Sequence, residues 1–156
     1  MKKKITISVI GGHDATPSQE QLAYEAGKIV AQAGAVLVCG GLTGMMTAAS
    51  KGAKEAGGLT IGILPGKDKG DANPYIDIPL PTSIGFARNV FVACSADIII
   101  ALPGSHGTRS EISYGLVFKR PVIDLGGWDI PGMIAAKDLK QAGSITNDLI
   151  KKIQSA

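Results

Sequence analysis

The stretch Asp97-Ile98-Ile99-Ile100-Ala101-Leu102-Pro103-Gly104-Ser105-His106-Gly107-Thr108-Arg109-Ser110-Glu111 decides the fold. After Asp97 its first residues are aliphatic and mostly β-branched, and a run this short and this apolar reads as a strand buried on both faces. Pro103 and the glycines after it stop the strand, and helical spacing resumes over 108–118. A strand that turns through glycine into a helix is the repeating unit of a parallel α/β sheet.

The same unit recurs on either side. Residues 5–10 form a first strand that ends in Gly11-Gly12. Thr16-Pro17-Ser18-Gln19 is a helix start, with Thr16 as N-cap, Pro17 at the first helical position and Gln19 completing a capping box. Leu22, Ala26, Ile29, Val30 and Ala33 follow at helical spacing, and Gly34 closes the helix. Residues 35–39 form a second strand, and a helix of small residues is predicted over 45–56. Residues 59–64 form a third strand, stopped by Pro65. A polar loop covers 66–74, and a short strand at 75–80 is confined by Pro79 and Pro81 to an edge or a bend. Helices are predicted over 85–95 and 144–153, and strands at 121–124 and near 133–136. The expected fold is α/β: a Rossmann-like doubly wound parallel sheet with helices on both faces, in a single domain over 1–156, binding its ligand beyond the carboxyl ends of the strands.

Composition agrees with this reading and excludes several functions. The chain has 156 residues, 45% of them hydrophobic and 19% charged, which fits one soluble globular domain and not a disordered one. No apolar run approaches the roughly 18 residues of a membrane span. The first apolar segment is short and ends in glycine, as a strand does and a signal peptide does not, so a cytoplasmic protein with no membrane partner is expected. Cys39, Cys94 and two histidines lack metal-site spacing, so no metal is expected and both thiols read as reduced. Net charge is +3, but Lys2, Lys3 and Lys4 stand together at the start. With three arginines and seven aromatics scattered along the chain, no basic stripe or stacking platform forms, and nucleic acid is not an expected partner.

Two glycine turns carry the functional signal. Gly40-Gly41-Leu42-Thr43-Gly44 and Gly104-Ser105-His106-Gly107-Thr108 each join a buried strand to a helix. Glycine lets a backbone approach a ligand closely, and a helix start offers unpaired N–H groups and the positive end of the dipole, which suits phosphate. Neither turn is a Gly-x-Gly-x-x-Gly dinucleotide fingerprint or a P-loop. Gly12 and His13, after the first strand, are further candidates.

Arg88 is the one charged side chain between residues 78 and 96. It either clamps an anionic ligand or pairs with a structural acid such as Asp97 or reaches solvent. In a helix over 85–95, Phe86, Val90 and Cys94 share a stripe that Arg88 leaves. Glu111 stands three residues after Thr108, so Thr108 and Glu111 read either as a second capping box or as a phosphate-site threonine beside a working carboxylate.

Pro103-Gly104-Ser105-His106-Gly107-Thr108-Arg109-Ser110-Glu111 resembles the Pro-Gly-Gly-x-Gly-Thr-x-x-Glu signature of the LONELY GUY family of nucleoside 5′-monophosphate phosphoribohydrolases, long mislabelled lysine decarboxylases. Gly40-Gly41-Leu42-Thr43-Gly44-Met45-Met46 resembles that family's earlier Gly-Gly-x-x-Gly-Leu-Met turn, and Arg88 falls at the spacing of its functional arginine. The sequence departs from the family where Asn89 replaces a lysine and Ser105 a glycine. Phe86-Ala87-Arg88-Asn89 is closer to the small bacterial relatives of the molybdenum cofactor carrier protein. The resemblance implies Arg88 and Glu111 as catalytic in a hydrolase, with Gly104, Gly107 and Thr108 at the phosphate, and a homodimer or higher homo-oligomer. Two functions follow. One is binding of a phosphate-bearing small ligand, a nucleotide or molybdopterin-type cofactor, at Gly40, Gly41, Thr43, Gly44 and residues 104–108, with no further cofactor required. The other is hydrolysis of the N-glycosidic bond of nucleoside 5′-monophosphates. Lysine decarboxylation is excluded, because it needs a Schiff-base lysine and Lys67 and Lys69 lie in a polar loop.

Overall fold

A computed structural model describes residues 1–156. Its elements are β1 (Thr6–Ile10), α1 (Pro17–Gln32), β2 (Val36–Cys39), α2 (Met45–Glu55), β3 (Thr60–Leu64), β4 (Ile78–Pro81), α3 (Asn89–Cys94), β5 (Ile98–Ala101), α4 (His106–Val117), β6 (Val122–Asp124), β7 (Ile134–Ala135) and α5 (Leu139–Ser155). All seven strands form one parallel sheet in the order β4-β3-β2-β1-β5-β6-β7.

Strand alternation divides the core in two. Ile98 and Ile100 of β5 face a cluster with Ile7, Val9 and Leu37 that α1, α2 and α5 cover through Ala26, Ala49 and Ala142. Ile99 and Ala101 face the opposite cluster with Val38 and Ile63, covered by Val92 and Ala93 of α3 and Ile112 of α4. Burial on both faces is why β2 and β5 are uninterrupted apolar runs. The capping box at the start of α1 forms as read: Gln19 N–H donates to Thr16 Oγ1 and Thr16 N–H to Gln19 Oε1, at 3.3 and 3.1 Å. The edge assignment of the Pro-containing strand also holds, since β4 pairs only with β3.

Three element expectations change. The helix read over 85–95 is a 3-10 turn, Gly85–Arg88, followed by α3. The tighter turn, about three residues per repeat, rotates the register. The buried face is therefore Arg88, Asn89, Val92 and Ala93, and Phe86 of the expected stripe is 85% exposed. The last helix starts at Leu139, not 144, because Asp138 caps it by accepting from Gln141 N–H at 2.8 Å. Gly143 lies inside the helix against Ile29. The third change, the earlier start of α4, bears on the site.

Strand order reverses between β1 and β5. The chain steps outward from β1 through β2 and β3 to β4, then returns to build β5, β6 and β7 on the other side. Loops leaving β1 and β5 therefore diverge at their carboxyl ends and leave a crevice, the usual ligand position in open α/β sheets.

Candidate functional site

A cleft of about 790 Å³ occupies that crevice. Gly12 and His13 reach it from the end of β1, Gly40 and Thr43 from the turn after β2, Arg88 and Asn89 from the junction of the 3-10 turn with α3, and Ser105, His106, Gly107, Thr108 and Glu111 from the start of α4. Segments far apart in sequence thus meet at one rim, and its volume suits a small organic ligand.

The α4 start forms one side of this rim. The helix begins at His106 with Ser105 as N-cap, and no side chain caps it. Its first-turn amides have no intrahelical acceptor and carry the positive end of the dipole. The turn is held by backbone contact: Gly12 N–H donates to Pro103 O at 3.0 Å, and a Cβ on Gly104 would overlap Thr108 Oγ1 and lie 3.0 Å from Gly12 N. Gly104 faces a smaller polar pocket of about 270 Å³ shared with Gly12, His13 and Ser105.

This start corrects the capping-box reading of Thr108 and Glu111. The helix begins two residues earlier than expected, so Thr108 already lies within the first turn and Glu111 one turn further on. Both are buried, at 3% and 7% exposure, and both line the cleft.

The earlier turn is built differently. Met45 N–H at the start of α2 donates to Gly12 O at 3.0 Å, so that amide is already used. Gly44 (φ +65°) packs against the His13 carbonyl, and Gly41 (φ +75°) lies against Leu64 and Gly62. Gly40 and Thr43 face the cleft, while Gly41 and Gly44 shape the chain behind it. Thr43 Oγ1 donates to His13 O at 3.5 Å.

Arg88 neither pairs with Asp97 nor reaches solvent. It is 6% exposed, and its guanidinium donates through Nε to Ile63 O at 2.8 Å, through Nη2 to Gly40 O at 3.3 Å and through Nη1 to Asn89 Oδ1. Asp97 lies at the amino end of β5, away from the cleft, accepting from Thr6 N–H at 2.9 Å. A Cβ on Gly40 would stand 2.6 Å from Arg88 Nη2, so the approach of the guanidinium requires glycine there. The ion pairs within 4.0 Å are His13–Asp14, Lys28–Glu25 and Lys54–Asp77, so no carboxylate neutralises Arg88.

Burial pushes the Glu111 carboxyl up to about 8, against the opposing pull of Arg88. Burial also lowers Arg88 from its ordinary range, opposed by Glu111 and Cys39, and raises the buried Cys39 thiol, opposed by its hydrogen bonds with Ser50 and Gly41. A guanidinium starts so high that it remains a cation at neutral pH.

Asn89 is the residue sequence reasoning undervalued. It occupies the family's lysine position, is 3% exposed, accepts from Arg88 and donates through Nδ2 to Ser110 Oγ at 3.1 Å. Ser110 Oγ donates in turn to Gly107 O at 2.6 Å. The amide thus ties the arginine turn to the start of α4. An asparagine beside the lone arginine was the available signal. His13 and His106 stand exposed at the rim.

A Rossmann-like sheet whose glycine turns and buried arginine converge at the β1–β5 crevice defines a class, and the comparisons place the chain within it. The model of the SLOG cluster4 family matches residues 4–154, and the chain belongs to that family. The molybdenum cofactor binding protein of the phototrophic bacterium Rippkaea orientalis superposes with a TM-score of 0.88 at 35% identity, over 96% of this chain and 99% of that one. The molybdenum cofactor carrier protein of Chlamydomonas reinhardtii gives 0.86 at 34%, over 96% and 99%. A protein of Archaeoglobus fulgidus without an assigned function is 43% identical over 114 residues, 73% of this chain and 75% of that one. The resemblance to the carrier-like members of the LONELY GUY superfamily is borne out.

Proposed function

We propose that the chain binds a phosphate-bearing small ligand of the molybdopterin type in the β1–β5 cleft. One observation carries this reading: an uncapped helix start opens beside a buried arginine that no carboxylate of the chain neutralises. An anionic oxygen there meets free amides and a cation at once. The apolar wall of Val9, Ile10, Leu42, Met46 and Phe86 suits a flat heterocycle, and the likeness to two molybdenum cofactor proteins supports a pterin. Thr108, Gly107 and Ser105 would hold the phosphate, and Gly40 and Thr43 the far wall. The exposed Phe86, Phe91, Tyr114 and Val117 near α3 and α4 support association with a second copy, which sedimentation velocity measures directly.

A second reading, hydrolysis of nucleoside 5′-monophosphates, is favoured by Glu111 in the same cleft as the phosphate turn. Retention is favoured over turnover because Asn89 removes the second cation of the hydrolase pattern. The test exposes purified protein to molybdopterin and separately to AMP. Pterin retained through gel filtration, with no adenine or ribose 5-phosphate formed, supports the carrier reading. Release of adenine that vanishes in Arg88→Ala and Glu111→Ala establishes the hydrolase instead, and failure of both ligands to bind overturns the anion site.

A further inference from the structure

Glu111 is a buried carboxyl facing a site argued above to hold an anion, and it has no partner. It is 7% exposed and lines the cleft. No protein donor reaches its oxygens; Arg88 acts on it only through space, from beyond 4.0 Å. The one enclosed side-chain polar atom without a partner is Arg120 Nε, so the unpaired Glu111 oxygens open onto the cleft, where a ligand would meet them.

Helical geometry says which part of the ligand it meets. Side chains on a helix lean toward its N-terminus, over the residues three and four positions earlier. For Glu111 these are Thr108 and Gly107. Gly107 leaves that space open, since a Cβ there would meet only Asn89 Nδ2, at 3.7 Å. The carboxyl therefore stands over the first turn of α4, beside the free amides. An ionised carboxylate there would repel a phosphate, whereas a neutral acid donates a hydrogen bond to it.

We propose that Glu111 binds as the neutral acid, donating a hydrogen bond to an anionic oxygen of the ligand while Arg88 supplies the positive charge, so that ligand capture and one proton on Glu111 are linked. The inference rests on the anion site proposed above. It gives the free cleft the single positive charge of Arg88, where an ionised Glu111 would cancel it. The displacement of this carboxyl toward higher pH by burial agrees with it. The other ionisable groups around Glu111 do not substitute for it. Cys39, at the end of β2, is a buried thiol; His13, His106 and Tyr114 stand at the exposed rim. Asp124 of β6, on which α4 also packs, is occupied by the amides of Gly126, Trp128 and Asp129. β5 carries no ionisable side chain, and α3 carries only Cys94.

The test uses sulfate, which stays fully ionised over the range examined, so any pH dependence belongs to the protein. Calorimetric titration of the wild-type chain from pH 6 to 9.5 is expected to show proton uptake on binding and a tenfold loss of affinity per pH unit above the Glu111 midpoint. Reciprocally, saturating sulfate raises that midpoint, read from the 13C carboxyl resonance of Glu111 in the native chain. Glu111→Gln, whose amide donates at every pH, binds sulfate without the alkaline fall. Binding that is level across the range, a midpoint lowered by sulfate, or loss of sulfate at pH 6 in Glu111→Gln overturns the inference and leaves the anion site standing. No sulfate binding by the wild-type chain at pH 6 overturns the anion site, and this inference with it.

Discussion

Replacing Glu111 by glutamine should stabilise the ligand-free fold, and increasingly so as pH rises. The ordinary carboxyl value is 4.5 and burial raises it in the fold to about 8. Below pH 4.5 the acid is neutral folded or unfolded and adds no pH-dependent cost. Between the two values the folded chain keeps a proton that the unfolded chain releases, so stability falls as pH rises. Above about 8 the fold must bury the charge. At about 1.4 kcal/mol per pH unit the loss reaches roughly 5 kcal/mol at pH 9 and roughly 3 kcal/mol at pH 7. Glutamine has nearly the same shape and never ionises. Urea unfolding followed by the fluorescence of Trp128, the chain's one tryptophan, should place Glu111→Gln within about 1 kcal/mol of wild type at pH 4.5 and several kcal/mol above it at pH 9. The corresponding gain in Tm at pH 9 is roughly 10 °C or more. Titration of distant groups is common to both proteins and cancels in the difference. Equal stabilities at pH 9, or a gap that does not widen from pH 4.5, would refute the claim that this carboxyl is desolvated and unpartnered.

Arg88→Lys keeps the charge but cannot donate to Ile63 O, Gly40 O and Asn89 together, so ligand or sulfate affinity should fall at least tenfold and stability by about 2 kcal/mol, measured by calorimetry and urea unfolding. Gly104→Ala forces a methyl group into Thr108 and the Gly12 amide; sulfate binding should be lost at a stability cost of about 1–3 kcal/mol. Gly52→Ala meets the Tyr24 carbonyl where α2 crosses α1, far from the cleft; it should lower Tm while leaving sulfate affinity unchanged in the fraction that folds. Thr16→Ala removes the N-cap of α1 and should cost about 1 kcal/mol, again with binding intact.

The sequence by itself determined the order of strands and helices, their parallel arrangement and the two glycine turns at the cleft. Strands covered on both faces must be continuously apolar, and glycine is required where the Arg88 side chain crowds Gly40 and where Thr108 and the Gly12 amide crowd Gly104, so these features are written locally as residue type and spacing. Thr16 with Gln19 was legible for the same reason, because a cap is a contact three residues long. The start of α4 was not. A Thr-x-x-Glu pattern is equally consistent with a cap and with a buried acid one turn into a helix, and only the pinning of Pro103 by Gly12 and the approach of Gly104 to Thr108 set the helix to begin at His106. Two of the acceptors of Arg88, Ile63 in β3 and Gly40 just after β2, lie 25 and 48 residues away in sequence, and no local pattern carries such distances. Tertiary structure alone decided that this arginine is buried without a countercharge and that Glu111 lines the same cleft without pairing with it, because burial and charge balance depend on what the rest of the chain brings alongside.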